Sequence, residues 1–177
     1  MHRLHVDGKM NERRGEIIRE LKRSDLVPVR ALIHRTIDAC YGRVYPPRAI
    51  QFFKDYHSEE KILGRSRRGV LLVVERDGNL IATGGLAGGE ISGVFVDPEF
   101  QRGGIGATLM RALEGKAAEK GLAGVELDVS LTSRGFYERL GYEILEERSI
   151  DVGEGQRLDY WRARKRLKES SGGTVYQ

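Results

Sequence analysis

The sequence predicts an α/β chain, an α+β sandwich in which a mixed sheet carries helices on its faces. Three observations lead to this expectation. Apolar residues recur at three-and-four spacing through Val29, Leu32, Ile33, Thr36, Ile37 and Cys40, the mark of one buried helical face. From Gly69 onward the texture changes to short aliphatic runs bounded by turn residues, which read as strands. A glycine-rich turn at Gly103, Gly104 and Gly106 then joins a strand to another helix with one apolar face.

Taken in order, Ile17, Ile18 and Leu21 start a weak first strand, and Ser24 or Asp25 offers an N-cap for the first helix. Pro28 falls in that helix's first turn, where a missing N–H costs little. Pro46-Pro47 breaks the chain before a second helical pattern through Ile50, Phe53 and Tyr56, and Ser58-Glu59-Glu60 begins another short turn. Val70 to Arg76, the Asp77-Gly78 turn and Leu80 to Leu86 read as an antiparallel hairpin. A strand from Ile91 to Val96 stops at Asp97-Pro98. Leu109, Met110, Leu113 and Ala117 then share one face of a helix that Gly121 closes. Val125 to Val129 reads as a strand, Phe136 to Leu140 as a short helix, and Tyr142 to Ile150 and Arg157 to Leu167 as the last two strands. The resulting order, β-α-α-β-β-β-α-β-α-β-β, requires a layered mixed sheet.

A length of 177 residues with 40% hydrophobic and 32% charged side chains describes one globular domain. Such a domain buries roughly 70% of the surface its unfolded chain exposes, so no disulfide or metal staple is needed. We expect an extension over residues 1–15, flexible, one domain over 16–168 and a tail over 169–177. The single cysteine, Cys40, cannot form an internal disulfide or a multi-cysteine metal site, and a reducing, cytoplasmic setting is the simpler expectation. Its position beside Ile33 and Ile37 suggests a buried structural thiol. No metal is expected: His2 and His5 fall in the extension, and His34 and His57 have no carboxylate at ligand spacing. The longest aliphatic run, Val70 to Val74, is far short of the ~20 apolar residues of a membrane-spanning helix, so no membrane role is expected. The charged amino terminus does not resemble a secretory signal. The net charge is +4. The basic clusters Arg65-Ser66-Arg67-Arg68 and Arg162-Ala163-Arg164-Lys165-Arg166 have no interleaved aromatic module, so they read as solvated faces, not as a nucleic-acid site.

The glycine turn is the most informative segment. Without side chains at 103, 104 and 106, several backbone N–H groups can converge on an anion at the positive end of the next helix. Positive backbone φ alone is a competing reason for such glycines. A triphosphate P-loop does not fit, because no Gly-Lys-Ser/Thr follows. The dinucleotide fingerprint fits poorly as well, since Leu109 stands where the third small residue belongs.

The hexapeptide Gln101-Arg102-Gly103-Gly104-Ile105-Gly106, preceded by a strand ending in Val96-Asp97-Pro98, resembles the Gln/Arg-x-x-Gly-x-Gly/Ala signature of the GNAT superfamily of N-acetyltransferases. A second segment, Gly135-Phe136-Tyr137-Glu138-Arg139-Leu140-Gly141-Tyr142, is similar to that family's Phe-Tyr-Glu-x-x-Gly-Phe/Tyr motif. The resemblance extends over most of residues 16–168. It implies a mostly antiparallel sheet in which the strand ending at Val96 and the strand Val125 to Val129, the fourth and fifth, splay into a V. It also implies acetyl-CoA as co-substrate. After Gln101, the amides of Arg102, Gly103, Gly104, Ile105, Gly106 and Ala107 would cradle its pyrophosphate, and the backbone of Phe95 and Val96 would pair with the pantetheine arm.

Acetyl transfer to an amine needs a neutral nitrogen, a donor for the developing oxyanion and an acid for the leaving thiolate. By the resemblance Tyr137 is the acid, a role suited to a phenol with a reference pKa of about 10. The competing reading is a packed aromatic beside Phe136 and Tyr142. Glu90 occupies a position similar to that of the glutamate base in some members. It is otherwise an exposed strand-end charge, with water chains supplying the base. Ser92 shares its strand parity and lines the same cleft if no bulge intervenes. Ser130 and Ser133 stand where many relatives carry asparagine and alanine, so arm contacts from this side have fewer donors and acceptors. Tyr41, Tyr45, Phe52, Phe53 and Tyr56 are candidates for an acceptor pocket, two or three of them being core. The expectation is a direct, ternary-complex N-acetyltransferase acting on a protein amino terminus, a small amine or a polyamine. The alternative is a non-catalytic acyl-CoA-binding regulatory module. The resemblance also suggests a homodimer.

Overall fold

The computed structural model describes residues 9–11 and 15–168. Most of the expected extension and the whole expected tail (169–177) therefore lie outside the described residues. Within them the strands are β1 (Lys9–Asn11), β2 (Glu16–Glu20), β3 (Val70–Arg76), β4 (Asn79–Ala87), β5 (Glu90–Val96), β6 (Gly124–Ser130), β7 (Glu143–Gly153) and β8 (Gln156–Arg166). The helices are α1 (Leu26–Tyr41), α2 (Pro47–Tyr56), α3 (Glu59–Arg68), α4 (Ile105–Glu119) and α5 (Arg134–Arg139). The strands form one sheet in the order β1-β2-β3-β4-β5-β6-β8-β7. Every neighbouring pair is antiparallel except β5 and β6. This is the expected α/β architecture with a mostly antiparallel sheet.

The aliphatic run of β3 is continuous because both of its faces are covered. Leu72 and Val74 enter the core under α4, with Leu109, Met110, Leu113 and Ala117. Leu71 and Val73 enter the opposite core, with Val29, Leu32, Ile33 and Ile37 of α1, Ala49 of α2 and Ile62 of α3. The β3–β4 connection is the expected tight hairpin: Asp77 (φ 50°) and Gly78 (φ 78°) are both left-handed, as a type I′ turn demands.

Two local expectations change. Ser58-Glu59-Glu60 opens a ten-residue helix rather than a short turn, with Ser58 Oγ accepting the Lys61 N–H at 3.3 Å. Asp25 precedes α1 but does not cap it. Its carboxylate instead accepts the Lys22 N–H at 2.7 Å and two bonds from Arg19, at 2.7 and 3.1 Å. An arginine brought alongside by β2 outcompetes the local cap.

Two irregularities shape the functional cleft. Between Thr83/Gly85 of β4 and Phe95/Ser92 of β5 the register slips by one residue, a bulge centred on Gly93, whose φ of +62° a side chain would strain. The extra residue reverses the alternation, so Ile91 enters the α4 core while Phe95 enters the opposite one. The second irregularity is the β5–β6 seam. Glu90 pairs with Glu126, and the Glu126 N–H donates to the Gly89 carbonyl at 2.9 Å. Beyond that point the ladder ends and the strands diverge, giving the expected V.

Candidate active site

Two cavities occupy the splay. One, of about 680 Å³, runs from the glycine turn between α4, α5 and the end of α1. The other, of about 380 Å³, lies on the α2–α3 side. They meet at Tyr41, Val94, Phe95, Ser133 and Tyr137, which line both.

The larger cavity starts where β5 ends. Asp97 Oδ1 accepts the Glu99 N–H at 2.9 Å and its carboxylate pairs with Arg35, which fixes the chain as it leaves the strand. The Asp97 N–H donates to Ile81 on β4 at 2.8 Å. Strand alternation therefore turns the N–H and C=O of Val96 away from β4 and towards the splay, where Gln101 Nε2 donates to that carbonyl at 3.0 Å. Arg102 (φ 65°) and Gly104 (φ 84°) then adopt left-handed backbone around Gly103, and Thr108 makes the first helical bond, to Gly104, at 3.0 Å. Amides at such a helix start have no intrahelical partner, and left-handed turns of this kind form anion-binding concavities at a positive dipole end. Gln101, Arg102, Gly104, Gly106 and Ala107 line the cavity, and Arg139 of α5 adds a second guanidinium. Gly106 lies under the Phe136 ring. The side chain of Ile105 is core, and neither it nor Gly103 lines the cavity. A local net positive charge on top of backbone donors fits a diphosphate ester.

Tyr137 stands at the junction, 7% exposed. Its ring is edge-on to Phe136 and Tyr142, with centroids at 5.0 and 5.5 Å. Burial pushes its phenol pKa well above the usual tyrosine range, so it is protonated at neutral pH. It is both a packed aromatic and a proton-bearing group facing two cavities. Ser130 and Ser133 bond each other, Oγ to Oγ at 2.8 Å. Ser133 lines both cavities, whereas Ser130 lines only the smaller.

Glu90 and Ser92 line the smaller cavity together, because the bulge falls after Ser92. Glu90 is not an isolated strand-end charge: Arg162 Nη1 and Nη2 donate to its two oxygens, both at 2.6 Å. The same guanidinium also donates to Glu126 at 2.6 Å and Asp128 at 3.0 Å. One guanidinium thus holds three carboxylates, of which Glu90 and Asp128 line the cavity. Of the aromatic candidates, Tyr41, Phe52, Phe53 and Tyr56 line this cavity. Tyr45 is core, its hydroxyl donating to the Asp159 carbonyl and accepting the Leu131 N–H.

Three contributors to the smaller cavity were not read as functional in the sequence. His57 is buried (4% exposed) and edge-on to Phe95 at 5.0 Å. Arg65 Nη2 donates to its Nδ1 at 2.9 Å, leaving the ring proton on Nε2. Burial, reinforced by Arg65, His34 and Lys61, lowers its pKa from 6.5 to about 3. Arg65 and Arg68 line the same wall. Their i, i+3 spacing, which puts both on one helix face, was the available signal; nothing local marked His57. Cys40 is half-buried at the larger cavity, 3.6 Å from Gln101 Nε2, and so is not fully buried as expected.

A layered sheet with a parallel splay, a glycine turn opening on one cavity and a phenol where two cavities meet set the class of fold and site. Residues 31–142 match the acetyltransferase (GNAT) family, and the chain belongs to it. Solved structures share the whole fold. A GCN5-related N-acetyltransferase from Rhodopseudomonas palustris has a TM-score of 0.79 at 21% identity, over 90% of this chain and 100% of its own. PaiA N-acetyltransferase from Thermoplasma acidophilum, in complex with coenzyme A, has a TM-score of 0.70 at 21% identity, over 86% and 99%. The ribosomal-protein-S18-alanine N-acetyltransferase from Escherichia coli has 0.65 at 20% identity, over 92% and 99%. No curated protein matches the sequence. Among the described residues no cluster of metal-ligating side chains occurs, and no helix is long and apolar enough to cross a membrane.

Proposed function

We propose that this protein transfers the acetyl group of acetyl-CoA to a primary amine by direct attack in a ternary complex. The observation that carries this reading is the meeting of the two cavities at Tyr137: a donor on one side and an acceptor on the other share one point of contact. The turn from Gln101 to Ala107 holds the diphosphate through backbone donors, with Arg102 and Arg139 adding positive charge. Phe95 and Val96 supply main-chain partners for the pantetheine amides, and Ser130 and Ser133 present hydroxyls from across the splay. Acetyl-CoA brings an activated thioester, and the Val96 N–H, facing the splay, is the donor for its developing oxyanion. A fixed main-chain amide needs no reorganisation to stabilise that charge.

Tyr137 gives its proton to the departing thiolate, which suits a phenol that burial keeps protonated. Glu90 is the acceptor-side carboxylate. Both of its oxygens already accept from Arg162, but each retains lone-pair capacity for a water or an amine. It therefore draws the ammonium form to the cavity and takes its proton through water. The test is release of free thiol from acetyl-CoA across a panel of amines, with the acetylated amine identified by mass. Product matched one-for-one to thiol supports the reading. Coenzyme A binding without acetylation of any amine, peptide or protein terminus favours an acyl-CoA-binding regulatory module.

A further inference from the structure

One wall of the acceptor cavity contains a guanidinium that makes no ion pair among the described residues. Arg65 of α3 is half-buried. Its Nη1 donates to the Tyr56 carbonyl at 3.0 Å and its Nη2 to His57 Nδ1 at 2.9 Å, both neutral acceptors, and its guanidinium lies 5.2 Å from the Tyr56 ring centroid. Among the described residues neither Arg65 nor Arg68 makes an ion pair, although both line the cavity. The carboxylates that share this cavity, Glu90 and Asp128, are held by Arg162 of β8. Burial disfavours the Arg65 cation, and the neighbouring Arg68 charge adds repulsion. A half-buried guanidinium held by neutral acceptors keeps N–H donors and a full charge for an arriving anion.

We propose that the acceptor is a small primary amine carrying an anionic group, a carboxylate or a phosphate, which Arg65 and Arg68 bind while the amine reaches Tyr137. This deepens the acetyltransferase reading and rests on it. The fork of a guanidinium matches either anion in two-point geometry. Position sets the spacing. Arg65 Nη2 lies 3.9 Å from where a Cβ on Gly93 would stand, three residues before Val96 on β5. Because of the bulge, Ser92 to Val96 spans only three residues of β4, about 10 Å at the usual strand rise, so Gly93 and Val96 are somewhat closer than that. The anion is therefore several bonds from the reacting nitrogen, as in an ω-amino acid or an aminoalkyl phosphate, and not adjacent to it as in an α-amino acid. Phe52, Phe53 and Tyr56 provide apolar cover for the connecting chain. A polyamine is disfavoured, because its second ammonium would face two guanidinium groups.

The test uses the full chain with ω-amino carboxylates and ω-aminoalkyl phosphates of graded length, each compared with its uncharged amide or alcohol and with the α,ω-diamine. We expect kcat/KM for the best anionic member to exceed that of its neutral counterpart by about 10-fold or more. We expect this ratio to collapse towards one, through KM, in Arg65→Gln and in Arg68→Gln. Arg68 is exposed and makes no ion pair among the described residues, so its variant stays informative if loss of the Arg65–His57 bond prevents folding. The carboxylate and phosphate series distinguish the two anion sources. Calorimetric titration of the coenzyme A-loaded protein with the same compounds reads the site without turnover. Anion-dependent binding that Arg68→Gln weakens, with no amine acetylated, upholds the anion site and contradicts the transferase reading. Turnover that ignores the anion, or a ratio unchanged in both variants, overturns the inference and leaves the transferase reading intact. Absence of both turnover and anion-dependent binding overturns the inference.

Discussion

Tyr137 keeps its proton because a phenolate in its enclosed position would lose hydration without gaining a counter-charge. Replacing it with phenylalanine retains the ring contacts to Phe136 and Tyr142 and removes only the hydroxyl proposed as the acid. Tyr137→Phe should lower kcat about 100-fold with coenzyme A affinity unchanged, read by thiol release and by calorimetry. His57 gives a stability signature of the opposite charge type. Its folded pKa, about 3, lies below its ordinary 6.5, so the unfolded chain takes up a proton that the folded chain refuses. Stability from the neutral ring is complete above pH 6.5 and is lost as pH falls towards 3. His57→Gln, which keeps an acceptor for Arg65, should flatten that acid-side decline in denaturant titrations at pH 7 and pH 5. Tyr137 was legible because its motif is local. His57 was not, because its burial comes from β5 and its partner from α3.

The turn before α4 depends on backbone that side chains resist. A Cβ at Gly104 would meet nothing within 4 Å, so Gly104→Ala isolates the cost of its left-handed φ, about 1–2 kcal/mol. Thermal unfolding should show that loss, and coenzyme A should bind more weakly. Glycine spacing made this turn readable in the sequence. The α5 motif was readable for a related reason: Gly141 (φ 90°) ends the helix and the Tyr142 N–H closes on the Tyr137 carbonyl at 3.1 Å, the contact that follows a left-handed helix end. The full length of α3 was hidden, because Ile62 is its one buried residue and charge covers most of its surface. The bulge was hidden too, since Gly93 looks like any strand glycine until β4 is laid beside it.

Across the molecule, the V is held at its apex by β5–β6 pairing and by Arg162, which reaches from β8 to Glu90 on β5 and to Glu126 and Asp128 on β6. The carboxylates are substantially exposed, so salt screens their interaction. Arg162→Ala leaves three negative charges facing one another. It should lower the denaturant midpoint of unfolding at low ionic strength, and about 1 M salt, where the screening length is roughly 3 Å, should recover part of the loss. Most of the strand and helix order could be read from periodicity, because each of those elements carries its own pattern; β1, within the expected extension, and the helix α3 could not. This hub could not: a basic run in β8 looks like a solvated face until three acids from two other strands converge on it.

The proposed transfer depends on main-chain groups from Arg102 to Ala107 holding the diphosphate of the acyl donor. Backbone amide shifts of isotope-labelled protein, titrated with coenzyme A and separately with pantetheine, test it most directly. Large changes are expected at 102–107 with coenzyme A that pantetheine does not reproduce, while Val96 responds to both. Amides that stay unmoved at 102–107 under saturating coenzyme A would contradict it.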